Sequence, residues 1–278
     1  MLNILKYFLR PLKSIYRYID YRYYKYFSDS IFSASRFEKK YFLQKHSEII
    51  KNLSIDVENY EKKTNFFIDR EWLYDLAFIT QIPTGKNFYC CEHGKVLYST
   101  VSNWVINNPE KSIQVLETGT ARGFSGLCIA KALSDLSKEG NIITIDILPN
   151  DTPIFWNCIT DREGKISRNQ LLKKWSKLVN KYLVFIQGDT RVTLNRLSIG
   201  RINIAFLDAC HTYKDVIIES NYVSSKQEKG DIIIFDDYNT KSFNGDVKAV
   251  EEFSLINNYK LEIIKGLENR DYAIARKI

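Results

Sequence analysis

The chain has 278 residues, of which 45% are hydrophobic and 26% are charged, so it is long enough to bury one large core. Its five cysteines form no C-x-x-C pair, which argues against a disulfide framework or a zinc knuckle and indicates a reducing compartment. No run of roughly 18 or more apolar residues is present, and cations interrupt the apolar start MLNILKYFLRPLK, so we expect a cytoplasmic protein.

The net charge of +7 lies entirely in the first 51 residues, which hold eleven basic and four acidic side chains. We interpret residues 1–51 as a basic, aromatic, amphipathic N-terminal arm, followed by a helical lead-in over residues 52–110. Cations and apolar side chains of the arm fall on opposite helical faces, and tyrosine is frequent between Tyr7 and Tyr26. This pattern is typical of peripheral contact with the inner membrane surface, which we assign to residues 1–27.

Two other interpretations of the arm stay open. A helix that packs its apolar face on the rest of the protein, or on a second subunit of a homo-oligomer, would show the same pattern. Nucleic-acid binding is the least favoured, because no recognised binding module accompanies the basic residues and the rest of the chain is neutral. We therefore expect no nucleic-acid partner.

From Ile113 onward, short apolar runs alternate with amphipathic helical stretches, a pattern typical of a parallel sheet with crossover helices. We predict an α/β, Rossmann-like fold: a seven-stranded, mostly parallel sheet with helices on both faces, plus a helical N-terminal extension. The domain spans residues 111–278, with an insertion at its rim over residues 148–180. The predicted strands are 113–118, 141–146, 182–187, 203–208, 231–236, 259–266 and 271–277, and the predicted helices are 124–138, 189–197, 213–227 and 246–257.

Acidic residues stand at the ends of the five predicted core strands. Ligands of such sheets bind at the carboxyl ends of the strands. Crowded carboxylates repel one another and lose hydration energy unless a cation or a hydrogen-bond donor compensates them, so they indicate a cationic ligand or a metal. The five residues are Glu117, Asp146, Asp189, Asp208 and Asp236.

The stretch ETGTARG (117–123) follows the first predicted strand and places Gly119 and Gly123 in a turn. The spacing E-x-G-x-x-x-G lacks the pyrophosphate-approach glycine of G-x-G-x-x-G folds, which disfavours a nicotinamide enzyme. The stretch resembles the first motif of the class I S-adenosylmethionine-dependent methyltransferases. The resemblance implies that both glycines pass under the methionine part of the cofactor.

The same resemblance implies roles for further residues of the cofactor site. Glu117 and Ser125 would lie near the polar groups of the methionine part, Asp146 would bind the ribose hydroxyls, and Asp189 would lie near the adenine. Thr120 and Asp208 complete the predicted cofactor-binding set. Two alternatives stay open: Asp189 can cap the helix that follows it, and Asp146 can be a solvated strand end.

The stretches FLDACHTYKDV (206–216) and IIIFDDYN (232–239) bring Asp208, Asp236 and Asp237 to neighbouring strand ends. Oxygen-only ligands suit Mg²⁺ or a similar divalent cation, whereas zinc would recruit Cys or His. The arrangement resembles the metal-dependent O-methyltransferases of the catechol, caffeoyl-CoA and macrolide-sugar type, which implies that these three aspartates hold the ion.

His211 stands where catechol-type enzymes carry a lysine. Sugar-modifying members of that wider family use a histidine as the base, so the resemblance implies that His211 is the catalytic base. A metal that coordinates a hydroxyl, beside an imidazole that removes its proton, gives a nucleophilic oxygen near neutral pH. The alternative is that His211 only bonds to the N-terminus of the next helix.

The rim insertion is longer than a strand-to-helix connection requires, and we expect it to form a lid or a substrate wall. Trp156, Asn157 and Arg168 are its candidate acceptor contacts, and Tyr238 is a further one after the fifth strand. The alternative for the insertion is a surface helix with Leu172 and Trp175 packed inward.

These patterns together predict an S-adenosylmethionine-dependent O-methyltransferase. We expect it to methylate a hydroxyl of a sugar or glycoconjugate, as in polysaccharide biosynthesis, with divalent metal assistance and a histidine base. A metal-independent methyltransferase acting on another small molecule is the first alternative. A non-catalytic, membrane-associated adaptor with the same fold is the second.

Overall fold

The computed structural model describes residues 37–83, 89–108, 112–239 and 244–278. The predicted membrane-contacting segment 1–27 lies outside the described residues. No helix in the described part of the chain is long and apolar enough to cross a membrane. Four helices precede the sheet: α1 (Lys39–Lys51), α2 (Ile55–Thr64), α3 (Arg70–Thr80) and α4 (Glu92–Asn107).

Seven strands form one sheet in the order β3-β2-β1-β4-β5-β7-β6. Strands β1 to β5 run parallel, and β7 runs antiparallel to both of its neighbours, β5 and β6. The predicted fold class is confirmed, and the predicted strands lie close to the observed ones. The strands are β1 (Ser112–Thr118), β2 (Glu139–Asp146), β3 (Leu183–Gln187), β4 (Ile204–Leu207), β5 (Ile232–Phe235), β6 (Tyr259–Ile264) and β7 (Tyr272–Lys277).

Crossover helices and short 3₁₀ turns connect the strands. The central strands β4 and β5 read IAFL and IIIF and are buried along their whole length, because helices cover both faces of the sheet. The α-helices are α5 (Phe124–Asp135), α6 (Arg168–Leu171), α7 (Ser176–Tyr182), α8 (Thr190–Thr193), α9 (Tyr213–Ser224) and α10 (Asn244–Ile256), and the 3₁₀ turns are Ile159–Glu163, Lys173–Trp175, Leu194–Arg196 and Leu267–Asn269.

Two apolar clusters fill the space on either side of the sheet. Helices α1 to α5 and α7 cover one face, and α9 and α10 cover the other with residues such as Val223 and Phe253. Phe42 of α1 and Trp104 of α4 belong to the same cluster as Leu127 of α5. The helices before β1 therefore share a hydrophobic core with the sheet, which places their polar ends beside the carboxyl ends of the strands.

Candidate active site

A cavity of about 410 Å³ lies at the carboxyl ends of β1 to β5 and has the size of a small-molecule binding site. One wall consists of the loops that follow the strands. The opposite wall comes from the end of α3 and the start of α4, which sequence analysis left without a role. That second wall contains Thr80, Gln81, Pro83, Tyr89, Cys90 and His93.

The glycine turn after β1 fits closely against the end of β4. Gly119 has a positive φ of 89°, and a Cβ at this position would overlap the carbonyl oxygen of Asp208. Gly123 also has a positive φ, of 84°, and a Cβ there would lie 2.6 Å from Leu172 Cδ1. A side chain at position 119 would displace the turn from the sheet, whereas at position 123 the positive φ and the contact with the Leu172 side chain favour glycine. Gly119 and Thr120 line the cavity and Gly123 does not, and the contacts of these residues with the cofactor stay predictions.

Glu117, at the end of β1, lies in the interior beneath this turn. Its carboxylate is fully buried and accepts hydrogen bonds from the hydroxyls of Ser125 and Thr144. Burial raises the pKa of Glu117, against the effect of these two bonds. Glu117 does not line the cavity, whereas Ser125 does. The structure therefore corrects the predicted contact of Glu117 with the cofactor: this carboxylate orders the turn from below.

Asp146 lies at the rim, at the end of β2. Its Oδ2 accepts from the backbone N–H of Ala121 at 2.6 Å, and its Oδ1 accepts from the N–H of Leu148 at 2.8 Å. The carboxylate ties the glycine turn to β2 and also faces the cavity. Each oxygen keeps a second lone pair, so Asp146 is still able to accept bonds from two vicinal hydroxyls.

Asp189 caps helix α8. Its Oδ1 accepts from the N–H of Arg191 at 3.1 Å, and the Arg191 guanidinium pairs with its Oδ2 at 2.6 Å. The capping alternative is present in the structure. Asp189 also lines the cavity, so its predicted contact with the adenine stays a prediction.

Asp236 does not join the other predicted metal ligands. Its side chain is fully buried, and both of its oxygens pair with the guanidinium of Arg270, with Nε 3.1 Å from Oδ1. Burial raises the pKa of Asp236, but the Arg270 charge outweighs it and holds that pKa below its usual value. The predicted set of three aspartates for Mg²⁺ is therefore wrong at Asp236, because an internal cation occupies this carboxylate.

The structure brings Asp208, His211 and Asp237 together. One ligand atom from each lies within 4.8 Å of the others. Nε2 of His211 is 3.7 Å from Asp208 Oδ1 and 3.6 Å from Asp237 Oδ2. All three residues line the cavity, so this cluster faces the same space as the glycine turn.

The other ring nitrogen of His211 bonds to a residue that sequence analysis missed. Nδ1 of His211 lies 3.1 Å from Oδ2 of Asp246, a buried residue in the first turn of α10. Because an ionised carboxylate only accepts hydrogen bonds, Nδ1 donates to Asp246, and the other ring nitrogen, Nε2, lies on the side of Asp208 and Asp237. Thr212, not His211, caps the following helix α9. The alternative role of His211 as a helix-end partner is therefore wrong.

Trp156 and Asn157 of the rim insertion are structural. Trp156 is fully buried, and its indole N–H donates to the carbonyl of Ile166 at 2.9 Å. Asn157 is 2% exposed. Neither residue lines the cavity, so their predicted contacts with an acceptor are wrong. Leu172 and Trp175 are packed inward, as in the alternative interpretation of the insertion.

Arg168 and Tyr238 also lie away from the cavity lining. Arg168 is buried, donates from Nε to the carbonyl of Ala121 at 3.0 Å, and so ties the insertion to the glycine turn. The Tyr238 hydroxyl donates to Glu251 at 3.1 Å, and burial is the main cause that raises its pKa to about 12. The predicted contact of Arg168 is corrected, because its polar groups are used within the fold, whereas Tyr238 lines a small pocket beside His211 and its substrate contact stays a prediction.

Comparison with known proteins identifies the domain. Residues 116–238, which include the glycine turn, Asp146, Asp208 and Asp237, match the model of a family described as a methyltransferase domain. This part of the chain is a methyltransferase domain. This confirms the predicted family and enzyme class, an S-adenosylmethionine-dependent methyltransferase. A comparison with curated protein sequences gave no match.

Solved structures share the fold of this methyltransferase. The O-methyltransferase NovP is 15% identical with a TM-score of 0.53, covering 86% of this chain and 98% of its own. TomG from Streptomyces achromogenes, an O-methyltransferase involved in tomaymycin synthesis and solved with SAM, is 16% identical with a TM-score of 0.51 over 83% and 98% of the two chains. Cofactor-bound Rv0187 from MTB is 16% identical with a TM-score of 0.50 over 74% and 88%.

Proposed function

We propose that this methyltransferase transfers the methyl group of S-adenosylmethionine to a hydroxyl oxygen, with His211 as the base. The observation that carries the proposal is the pair of His211 and Asp246, with Nε2 of His211 on the side of the cavity carboxylates Asp208 and Asp237. NovP and TomG are O-methyltransferases by name and share the fold, which agrees with oxygen as the methylated atom.

The part of the cavity at the ends of β1 to β3, which we call the cofactor half, suits S-adenosylmethionine. The turn at Gly119 allows close approach of a ligand to the backbone, and Asp146 offers oxygens to the ribose hydroxyls. The carboxylates of Asp208 and Asp237 line the same cavity and provide negative potential for a sulfonium and an ammonium group. The carboxylates at the strand ends therefore favour a nucleoside that carries positive charge on its amino-acid part.

The reaction is an in-line displacement. The acceptor oxygen forms a bond to the methyl carbon, the carbon–sulfur bond breaks, and its electron pair stays on sulfur in S-adenosylhomocysteine. Nε2 of His211 takes the hydroxyl proton, and the carboxylate of Asp246 stabilises the imidazolium that forms. The fixed orientation of the ring lowers the cost of proton transfer, and exclusion of water protects the nucleophilic oxygen.

The proposed acceptor is a neutral hydroxyl compound, a sugar or glycoconjugate. An acceptor that carried a phosphate or carboxylate beside Asp208 and Asp237 would be repelled, whereas an uncharged polyol would donate hydrogen bonds to both. Peripheral membrane contact through residues 1–27 and a homo-oligomeric state are further proposals based on the sequence pattern. Co-sedimentation with anionic vesicles tests the first, and light scattering tests the second.

Metal assistance is a second candidate, favoured by the close approach of ligand atoms from Asp208, His211 and Asp237. A divalent ion held there would supply Lewis-acid stabilisation of the acceptor oxygen. In that case the imidazole lone pair at Nε2 would serve as a ligand and would not be free to act as the base. The two candidates therefore assign different tasks to the same nitrogen.

The test of the proposed function is methyl transfer measured by mass spectrometry on nucleotide sugars and free saccharides, with catechol as a non-sugar comparison. With the best acceptor, we expect His211→Gln to lower kcat by about 10²–10⁴-fold, the range of general base catalysis, at unchanged affinity for S-adenosylhomocysteine. The matched control is His46→Gln, since His46 bonds to the Tyr74 carbonyl outside the cavity. A kcat of His211→Gln equal to that of the control would refute the role of His211.

A further inference from the structure

We propose that Arg270 is a built-in cation that replaces a divalent metal at the end of β5. Its guanidinium contacts the two adjacent carboxylates that a metal would need. Nε is 3.1 Å from Asp236 Oδ1 and 3.2 Å from Asp237 Oδ1, and Nη2 pairs with Asp236 Oδ2. The structure thus places a permanent positive charge at the position that the sequence assigns to Mg²⁺.

The fold delivers Arg270 to this position by sheet pairing. Strands β5 and β7 are antiparallel neighbours, with Phe235 opposite Ala273, so the residues just after β5 meet those just before β7. The N–H of Tyr238 donates to the Asp271 carbonyl at 2.9 Å and fixes the two segments together. Arg270 also reaches the segment that precedes α4, with Nη1 4.0 Å from Cys90 Sγ. The guanidinium is therefore held between the sheet and the opposite wall of the cavity.

The neighbouring backbone supports the same arrangement. Asp237 has a positive φ of 53°, a conformation that aspartate tolerates better than most residues. This conformation points one carboxylate oxygen to Arg270 and the other to His211. Asp237 is thus the one carboxylate shared between the internal cation and the base.

The charge of Arg270 opposes a metal ion both at the three predicted aspartates and at the observed cluster of Asp208, His211 and Asp237. Asp236 has no oxygen free of the guanidinium, and a divalent ion between Asp208 and His211 would share Asp237 with a second cation. Like charges this close repel strongly where water is partly excluded. Arg270 cannot lose its proton in a protein, so it offsets one negative charge of these carboxylates at every working pH. The inference rests on the proposed function at one point: without a metal, proton removal is assigned to the pair of His211 and Asp246.

The experiment measures binding of Mn²⁺ alone to the full chain by electron paramagnetic resonance. We expect Arg270→Gln and Arg270→Ala each to bind one Mn²⁺ ion, with an affinity at least about tenfold higher than that of wild type. Over the same range of Mn²⁺ concentrations, wild type should leave the free-ion signal unchanged. Arg270→Gln keeps an amide donor for Asp236, so it serves if the alanine variant does not fold. Arg270→Lys keeps the charge and should bind no ion.

The matched control is Arg276→Gln, which removes one positive charge from the exposed part of β7. The control should behave like wild type, because Arg276 donates to the Gly230 carbonyl and lies away from the cavity. Saturable Mn²⁺ binding by wild type, or no gain in the folded Arg270→Gln variant, would overturn the proposal. These readouts need no methyl acceptor, so they stay valid if the proposed O-methyl transfer fails its own test.

Discussion

The two halves of the cavity hold their acidic side chains in different ways. In the cofactor half, at the ends of β1 to β3, Asp189 bonds within its own helix turn and Asp146 bonds to loop backbone. In the acceptor half, at the ends of β4 and β5, His211 pairs with a residue 35 positions later. Asp236 there pairs with an arginine 34 positions later. The first half combines a contact within one helix turn with the Asp146–Ala121 bond, which joins residues 25 positions apart, and the second half depends on pairs that are still farther apart in the chain.

This difference explains which parts of the site the sequence reveals. The turn ETGTARG can be recognised from seven consecutive residues, because its glycines and the start of the following helix are neighbours in the chain. The partner of a strand-end aspartate in the acceptor half depends on which strand lies beside it. Spacing along the chain therefore reports on the cofactor half much better than on the acceptor half.

The largest expected effect comes from closing the glycine turn. We expect Gly119→Ala to abolish detectable binding of S-adenosylhomocysteine and to lower stability by more than about 3 kcal/mol, because the new Cβ overlaps the Asp208 carbonyl in addition to straining a positive φ. Calorimetric titration and thermal unfolding measure the two quantities. The cofactor half should fail as a unit, since the turn is also bonded to Asp146.

The control for this substitution is Gly164→Ala in the rim insertion. Gly164 has a positive φ of 105° but no atom within 4 Å of the position of a Cβ. With φ 105° and ψ −168° it lies in a backbone region that essentially only glycine adopts, so the variant should lose only that backbone cost, about 1–3 kcal/mol, and keep cofactor binding. Equal losses in the two variants would mean that backbone strain, and not contact with β4, makes Gly119 necessary.

The fold and the cofactor half could be predicted because they depend on local patterns. Alternating apolar runs located all seven strands, and β4 and β5 stood out because strands buried on both faces read as continuous apolar segments. Asp146 was found because it ends β2. Glu117 shows the limit, since the same strand-end pattern does not tell whether a carboxylate points into the cavity or beneath the turn.

An intermediate effect is expected at Glu219, a residue of α9 that connects the two halves. Its buried carboxylate accepts from Thr118 at the end of β1 and from Thr190 of α8. Burial, opposed by these two hydroxyl bonds, raises its pKa from 4.5 to about 7. The folded protein therefore binds more protons than the unfolded chain between these two values, and this group makes stability fall as pH rises from 4.5 to about 7.

Glu219→Gln removes this titration and keeps a side chain that can bond to both threonines. We expect the variant to match wild type near pH 4.5 and to exceed it above pH 7, by up to about 3 kcal/mol for a shift of this size. Chemical unfolding at several pH values measures the difference. Glu163→Gln, at an exposed position, is the control and should show no such trend. A constant offset at all pH values would show that Glu219 titrates normally.

The acceptor half could not be predicted in full, for a physical reason. Asp246 stands in the first turn of a helix, where an acidic residue is common because of the helix dipole, so nothing in its position indicates His211. Arg270 lies in a short connection between the edge strand β6 and its neighbour β7, and its role appears only when β7 is placed beside β5. The predicted substrate contact of Trp156 was wrong because an aromatic residue in an insertion suits a substrate wall and a small local core equally well.

The smallest expected effect separates a helix cap from a cofactor contact. Asp189 and Asp69 both cap helices by accepting a backbone N–H, but only Asp189 lines the cavity. Replacing either by alanine should lower stability by about 1 kcal/mol, the usual contribution of a cap. Only Asp189→Ala should also weaken S-adenosylhomocysteine binding, as measured by calorimetric titration. If both variants bind the cofactor product equally well, Asp189 acts through α8 alone, and local order in the cofactor half then owes more to capping than to ligand contact.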